Sequence, residues 1–207
     1  MNSDTLLSEE KWVDFNGESP LINIYNSFHD LTDDIKYIIN KQTFLVSFKK
    51  SKFISSPIHS NRHIYLILNG VARGFIKDDN KEITTWIAKE NEMVGDLDIF
   101  FDSSAPYEEY VQALEDVHAV AIPYSMSKHL YNHFNIANYI GRKITQLQYA
   151  HACERAFITR LHSAERRYLR FIKSYPELID RIPLKYIASF LCMRMETLSR
   201  IRSKLNM

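Results

Sequence analysis

Between residues 42 and 122 apolar side chains recur at alternate positions or in short runs, and turn residues interrupt them every few positions. The segments TFLVSF, HIYLIL, VARGFI, EITTWIA, EYVQAL and HAVAI are rich in β-branched and aromatic residues, which fit a pleated surface buried on at least one side. Asn69-Gly70 predicts a hairpin, and Asp78-Asp79-Asn80 predicts a second turn. Many short strands at this spacing predict a barrel or jelly roll. Ahead of them, residues 21–40 predict one helix with Leu21, Ile24, Phe28 and Leu31 near one face. Residues 1–20 are polar, end at Pro20 and predict a flexible arm.

Pro123 ends the strand pattern, and the period lengthens. A short helix is predicted over 125–134 and a longer one over 136–161. The longer one carries Ile140, Ile144, Leu147, His151, Glu154, Ile158 and Leu161 in a 4-3 alternation, the seam of a two-stranded coiled coil. Ile140, Ile144, Leu147, His151 and Ile158 are therefore the candidate dimer interface. Ser163 is placed to cap a helix over 164–174, which Tyr175-Pro176 breaks. Residues 183–204, PLKYIASFLCMRMETLSRIRSK, predict two short helices and a three-residue turn. The first helix buries Ile187 and Leu191, and small Ala188 allows a second helix to cross closely. The second helix aligns Leu198, Ile201 and Leu205 on one face. Its opposite face carries Glu196, Arg200 and Ser203, with Arg194, Ser199 and Lys204 beside them. Arg forks onto guanine and Glu accepts from the cytosine amino group, so this face suits base edges in a major groove. The arrangement is that of a helix-turn-helix with the second helix as reader.

Charge supports the same end of the chain. The whole carries +1, but residues 141–207 hold 14 basic and 5 acidic side chains, a net +9, against 12 and 20, a net −8, in residues 1–140. A basic C-terminal third is the electrostatic footprint of a module that neutralises phosphates. With 45% hydrophobic residues over 207 positions, the chain can bury the cores of two modest domains. No stretch approaches the roughly 20 apolar residues of a membrane helix. The N-terminus is acidic where a signal peptide is basic, so a cytoplasmic location without membrane attachment is expected. Cys153 and Cys192 lie far apart and make no metal or redox spacing. The pairs His129/His133 and His59/His63 lack a third ligand at recognisable spacing, so no metal is expected. Phosphate loops, dinucleotide-binding turns and nucleophile motifs are absent, and no enzymatic activity is expected.

Strand roll, seam helix and basic reader, in that order, resemble the CRP/FNR superfamily of bacterial transcription regulators over roughly residues 30–205. HIYLILNGVARGFIKDDNKEITTWIAKENEMVGDLDIF resembles the family's stretch from its strand-Gly hairpin to its phosphate-binding cassette. Gly95, Asp96 and Leu97 stand where the family has Gly-Glu-Leu, and IASFL and ETLSRIR resemble its reader. The resemblance implies base-reading roles for Glu196 and Arg200 and a phosphate contact for Thr197. It places His151 near a position that touches a ligand base across the dimer; the alternative is a register-setting residue paired with Glu154. It also implies double-stranded DNA and a second copy of the chain as partners, with RNA polymerase as a further candidate.

The departures bear on the ligand. Family members that bind cyclic nucleotide place an Arg followed by Ser or Thr shortly before the strand corresponding to EYVQAL; Tyr107, Glu108 and Glu109 occupy that neighbourhood here. Carboxylates repel a cyclic phosphodiester, so no ordinary cAMP or cGMP binding is expected, with backbone amides or a residue such as Arg62 or Arg73 left to supply the missing charge. Two distant cysteines cannot supply the roughly four ligands of an iron–sulfur cluster. No cofactor is expected, and another small-molecule effector remains open. In the reader, Cys192 occupies a turn where the family often has Gly, Met195 replaces a base-reading Arg, and Met193 or Arg194 gives a poor helix cap.

The sequence thus predicts an α+β chain: a flexible arm at 1–20, a cyclic-nucleotide-binding-like β-roll (jelly roll) at 21–134, a dimerisation helix at 135–162 and a helix-turn-helix domain at 163–207. The candidate ligand pocket comprises Gly95, Asp96, Leu97, Glu108 and His151. The function expected is homodimeric, sequence-specific DNA binding for transcription regulation. Two rivals remain: a constitutive regulator with a ligand-free roll, and a protein-interaction module with a decayed reader.

Overall fold

The alternating segments pair as two four-stranded antiparallel sheets in the structure, a computed structural model that describes residues 11–58, 62–95 and 108–205. The strands are β1 (Phe44–Phe48), β2 (Phe53–Ser55), β3 (His63–Asn69), β4 (Ala72–Asp78), β5 (Lys81–Ala88), β6 (Met93–Gly95), β7 (Tyr110–Ala113) and β8 (Val117–Pro123). One sheet runs β1-β8-β3-β6 and the other β2-β7-β4-β5. All six expected strands form; β2 and β6, three residues each, are too short to show a period. Tyr65, Ile67, Ala119 and Ala121 face the interior between the sheets, together with Ala72 and Val111. The alternate residues Leu66, Val120 and Ile122 face the helices on the other side. Both faces of β8 are covered, which is why HAVAI is apolar almost throughout.

The Asp78–Lys81 turn joins β4 to β5 as expected, with Asp79 at φ +51. Asn69-Gly70 does not form a hairpin. β3 pairs with β6 and β8, whereas β4 pairs with β5 and β7, so this turn carries the chain from one sheet to the other. Gly70 has φ +108, and a Cβ there would lie 2.6 Å from the Asp116 carbonyl oxygen.

The helices are α1 (Pro20–Asn26), α2 (Asp33–Gln42), α3 (Tyr124–His133), α4 (Asn135–Arg160), α5 (Ala164–Ser174), α6 (Leu184–Phe190) and α7 (Met195–Lys204). The single helix expected over 21–40 is two, broken where Ser27 ends α1. The arm is not loose over its described part. Trp12 is fully buried, and its Nε1 donates to the Asn40 carbonyl at 3.1 Å. The Ser19 backbone N–H donates to Asn40 Oδ1 at 2.7 Å. One tryptophan in a polar stretch supplies the apolar area that ties residues 11–20 down.

The seam helix forms as α4, but its apolar positions are divided. Ile140 is buried with Leu66, Ile122, Met126 and Leu130. Ile158 is buried with Tyr168, Phe171, Ile187 and Leu198. Both side chains lie in cores of their own chain, which removes them from the expected dimer interface. Ile144 is partly buried, and Leu147 stays 49% exposed. Glu154 does not pair with His151. Arg170 donates to its two carboxylate oxygens at 2.7 Å each, and the Ser174 hydroxyl donates at 2.8 Å.

Candidate nucleic-acid interface and sensor cavity

Ser163 caps α5 by accepting the Arg166 N–H at 3.2 Å, as its sequence position predicts. Helices α5, α6 and α7 then close one core, in which Ile187, Ala188, Leu191 and Leu198 are buried and Ile201 and Leu205 are partly buried. Residues 191–194 form the turn between α6 and α7. Cys192 stands at φ +51, its N–H donates to the Ser189 carbonyl at 3.0 Å, and the Met193 N–H donates to the Ala188 carbonyl at 3.0 Å. These bonds satisfy the carbonyls at the end of α6. Arg194 caps α7 without a side-chain hydrogen bond, matching the poor cap in the sequence.

With Leu198 committed to the core, the other face of α7 is left to solvent. Arg194, Glu196, Ser199, Arg200, Ser203 and Lys204 are exposed, and Thr197 is half-buried at the edge. Glu196, Arg200 and Ser203 follow one another at helical spacing along that face. Lys204 lies 3.2 Å from Glu165, an exposed ion pair that phosphate can displace at little cost.

The second site is a cavity of about 610 Å³ between the β-roll and α4. Gly95 is on its wall, and a Cβ there would lie 2.7 Å from the His63 carbonyl oxygen. Glu109 also lines it, only 7% exposed, its Oε1 accepting from the Thr85 hydroxyl at 2.5 Å and its Oε2 from the Trp86 indole N–H at 2.8 Å. Burial pushes the Glu109 carboxyl above its ordinary range, and does the same to Glu92, another lining residue. From α4, Gly141, Ile144, Gln148, Ala152 and Arg155 present one continuous face to the cavity.

This arrangement departs from the expected pocket. Glu108 is exposed, and neither Glu108 nor His151 lines the cavity. His151 sits beside it, half-buried, with its pKa lowered by burial and by the nearby charges of Arg155 and Lys89. Asp96 and Leu97 lie outside the described residues, as do Tyr107 and His59. Neither Arg62 nor Arg73 supplies the cation. Arg73 is 1% exposed, donates to Gln112 Oε1 at 2.8 and 3.0 Å and to Glu82, and stacks 3.8 Å from the Tyr186 ring. The cavity's cation is Arg155, which the sequence reading missed. Its only signal was its place on the same face of α4 as Gly141 and Ile144. His129 and His133 stack their rings at 4.3 Å, and no group of metal-ligating side chains gathers among the described residues.

The roll and the C-terminal helices are held to each other. Val71, Ile87 and Leu114 of the roll enter the core of α5–α7. Ser189 Oγ accepts the Thr84 N–H at 2.9 Å, and Lys89 pairs with Glu177. Arg181 donates to Glu90 at 2.6 and 3.0 Å and to Glu115 at 2.5 Å.

A family profile described as the cyclic nucleotide-binding domain matches residues 45–133. No curated protein matches the chain by sequence. Among solved structures, a candidate transcriptional regulator of the CRP/FNR family from Eubacterium rectale superposes with TM-score 0.71 at 17% identity, over 89% of this chain and 88% of that one. FixK2 from Bradyrhizobium japonicum gives 0.67 at 16% identity, over 79% and 84%. The c-di-GMP-responsive global regulator CLP of Xanthomonas campestris gives 0.65 at 14% identity, over 84% and 92%. Residues 45–133 are thus similar to the cyclic nucleotide-binding domain, and the chain that carries them has the fold of the CRP/FNR regulators, an antiparallel jelly roll followed by a long helix and a C-terminal helical region.

Proposed function

We propose that the chain is a homodimeric, sequence-specific DNA-binding transcription regulator of CRP/FNR type, in which residues 163–207 read the operator and the β-roll responds to an effector other than cAMP or cGMP. The observation that carries this reading is the solvent-facing row of Glu196, Arg200 and Ser203 on α7, opposite a fully buried Leu198. That row offers a guanidinium fork and a carboxylate acceptor to base edges, on a C-terminal third of net charge +9. Dimerisation is assigned to α4, where Leu147 and Phe157 remain 49% and 57% exposed on a 26-residue helix. Large apolar side chains exposed along one helix mark an interaction surface. Two readers then meet half-sites about one helical turn apart.

The reading of a decayed reader rests on Cys192, Met195 and the missing cap. Against it stand the intact turn geometry at Cys192 and the complete burial of Leu198 and Ile187. Selection of bound genomic fragments followed by gel shift tests the proposal: a shared, roughly palindromic motif is expected. Binding without sequence preference across the selected fragments would overturn it.

A further inference from the structure

The 610 Å³ cavity holds charges of both signs in a largely apolar wall. Ile64, Ile87, Val94, Ile122 and Ile144 supply that wall. The half-buried Arg155 guanidinium makes no hydrogen bond or ion pair with any described residue, although the apolar surface beside it favours one. Its field reaches Glu92 and Glu109, yet neither carboxylate comes within ion-pair distance. Glu109 is fixed by Thr85 and Trp86, which use two of the roughly four acceptor positions of a carboxylate. Among the described residues the Glu92 carboxylate is hydrogen-bonded by the Lys89 backbone alone. Among the described residues, the cavity therefore carries a guanidinium without an ion-pair partner and two carboxylates with acceptor capacity to spare.

A monoanion would match Arg155 but leave both carboxylates repelling it. A simple cation would match the carboxylates and meet Arg155. A molecule bearing both charges satisfies all three. We infer that the cavity takes a small zwitterion with an apolar body, of the amino-acid or dipeptide class, its carboxylate on Arg155 and its ammonium on Glu109 and Glu92. A volume of about 610 Å³ lies within the usual range for small-molecule sites, on the order of 300–1,000 Å³, and exceeds what one amino acid needs, so a dipeptide is accommodated. Trp86 and Tyr149, which also line the cavity, add aromatic faces on which an ammonium gains cation–π attraction. This assignment deepens the effector half of the proposed function and makes no use of DNA.

The test is a thermal-shift and calorimetric titration of the full chain with L-leucine, L-phenylalanine, L-tryptophan and the dipeptide Leu-Leu at up to 10 mM. For each probe that binds, the N-acetyl and C-terminal amide forms are titrated, with cAMP as the anionic comparator. At least one zwitterion should raise Tm dose-dependently, and both blocked forms of it should bind at least tenfold more weakly. Arg155→Gln should abolish the difference between the free acid and its amide, and Glu109→Gln the difference between the free amine and its N-acetyl form. Circular dichroism of the unliganded variants checks that they fold, and the blocked ligands on the unmodified chain decide the question even if they do not. No shift with any of the four zwitterions overturns the assignment, as does a blocked form binding as tightly as its parent, or a shift with cAMP alone. Binding of a zwitterion that leaves DNA affinity unchanged supports the ligand assignment and counts only against its role as effector.

Discussion

At Cys192 the backbone occupies the left-handed region at φ +51, and the side chain is exposed. A Cβ in that region costs about 1–2 kcal/mol, and no buried contact of the thiol offsets it. Cys192→Gly should therefore stabilise the C-terminal helices by about 1 kcal/mol, read as a shift in the urea midpoint at unchanged slope. An unchanged or lower midpoint would show that the turn is not strained. On α7, Arg200→Ala should cost about 1–3 kcal/mol on the preferred site and flatten base preference at one position per half-site. Lys204→Ala should weaken binding to all sequences alike, with a smaller salt slope. Retention of both affinity and preference in Arg200→Ala would rule out the groove contact assigned to it. The row at 196, 200 and 203 was legible in sequence because one apolar face of an isolated helix fixes its opposite. Arg155 was not, since which polar side of α4 meets the cavity depends on where the β-roll packs, and no local period encodes that.

α4 shows how far an element's own pattern carries. Its 4-3 alternation was enough to place a helix at Asn135–Arg160, within a residue of its expected ends. The same pattern assigned all its apolar positions to one partner, whereas the helix bridges two cores and spends Ile140 on the first and Ile158 on the second. At Gly141 the neighbouring helix comes so close that a Cβ would lie 2.9 Å from the Tyr131 ring. Only the middle and the outer face remain for a second copy, with Leu147 and Phe157 exposed there. Leu147→Asp places a charge, and in a symmetric pair two like charges, at that surface, where desolvation without an opposite partner costs several kcal/mol. Sedimentation velocity at micromolar concentration should show monomer, with the helical circular dichroism signal retained. A variant that remains dimeric would move the interface off this face. The strands that were legible, such as TFLVSF and EITTWIA, had enough length for composition to speak, while FIS and MVG are recruited as strands by their neighbours β7 and β3.

For the molecule as a whole, the least legible feature was how its parts join. Trp12 closes the N-terminal arm onto the α2 end, and Arg181, in the connection between α5 and α6, reaches across to Glu90 and Glu115 of the roll. Such contacts link residues 28, 91 and 66 positions apart, beyond any local period. The Arg181 junction also has a pH signature. Hydrogen bonding to Arg181 lowers the Glu90 carboxyl from 4.5 to about 2, with the Gly70 N–H adding to the effect at 2.8 Å. A carboxyl whose folded pKa is depressed stabilises the fold above its unfolded value, and that stability drains as pH falls through the folded one. The Glu90–Arg181 contribution is thus complete above about pH 4.5 and gone near pH 2. Both side chains are about one quarter exposed, so solvent screens part of the interaction, and about 2 kcal/mol at neutral pH is the expected scale. Arg181→Ala should lower stability by that amount at pH 7, and the gap to the unmodified chain should narrow between pH 4.5 and 2.5 in urea titrations. A gap that stays constant across this window would mean that Arg181 acts through packing alone, and that charge does not hold the C-terminal helices against the roll.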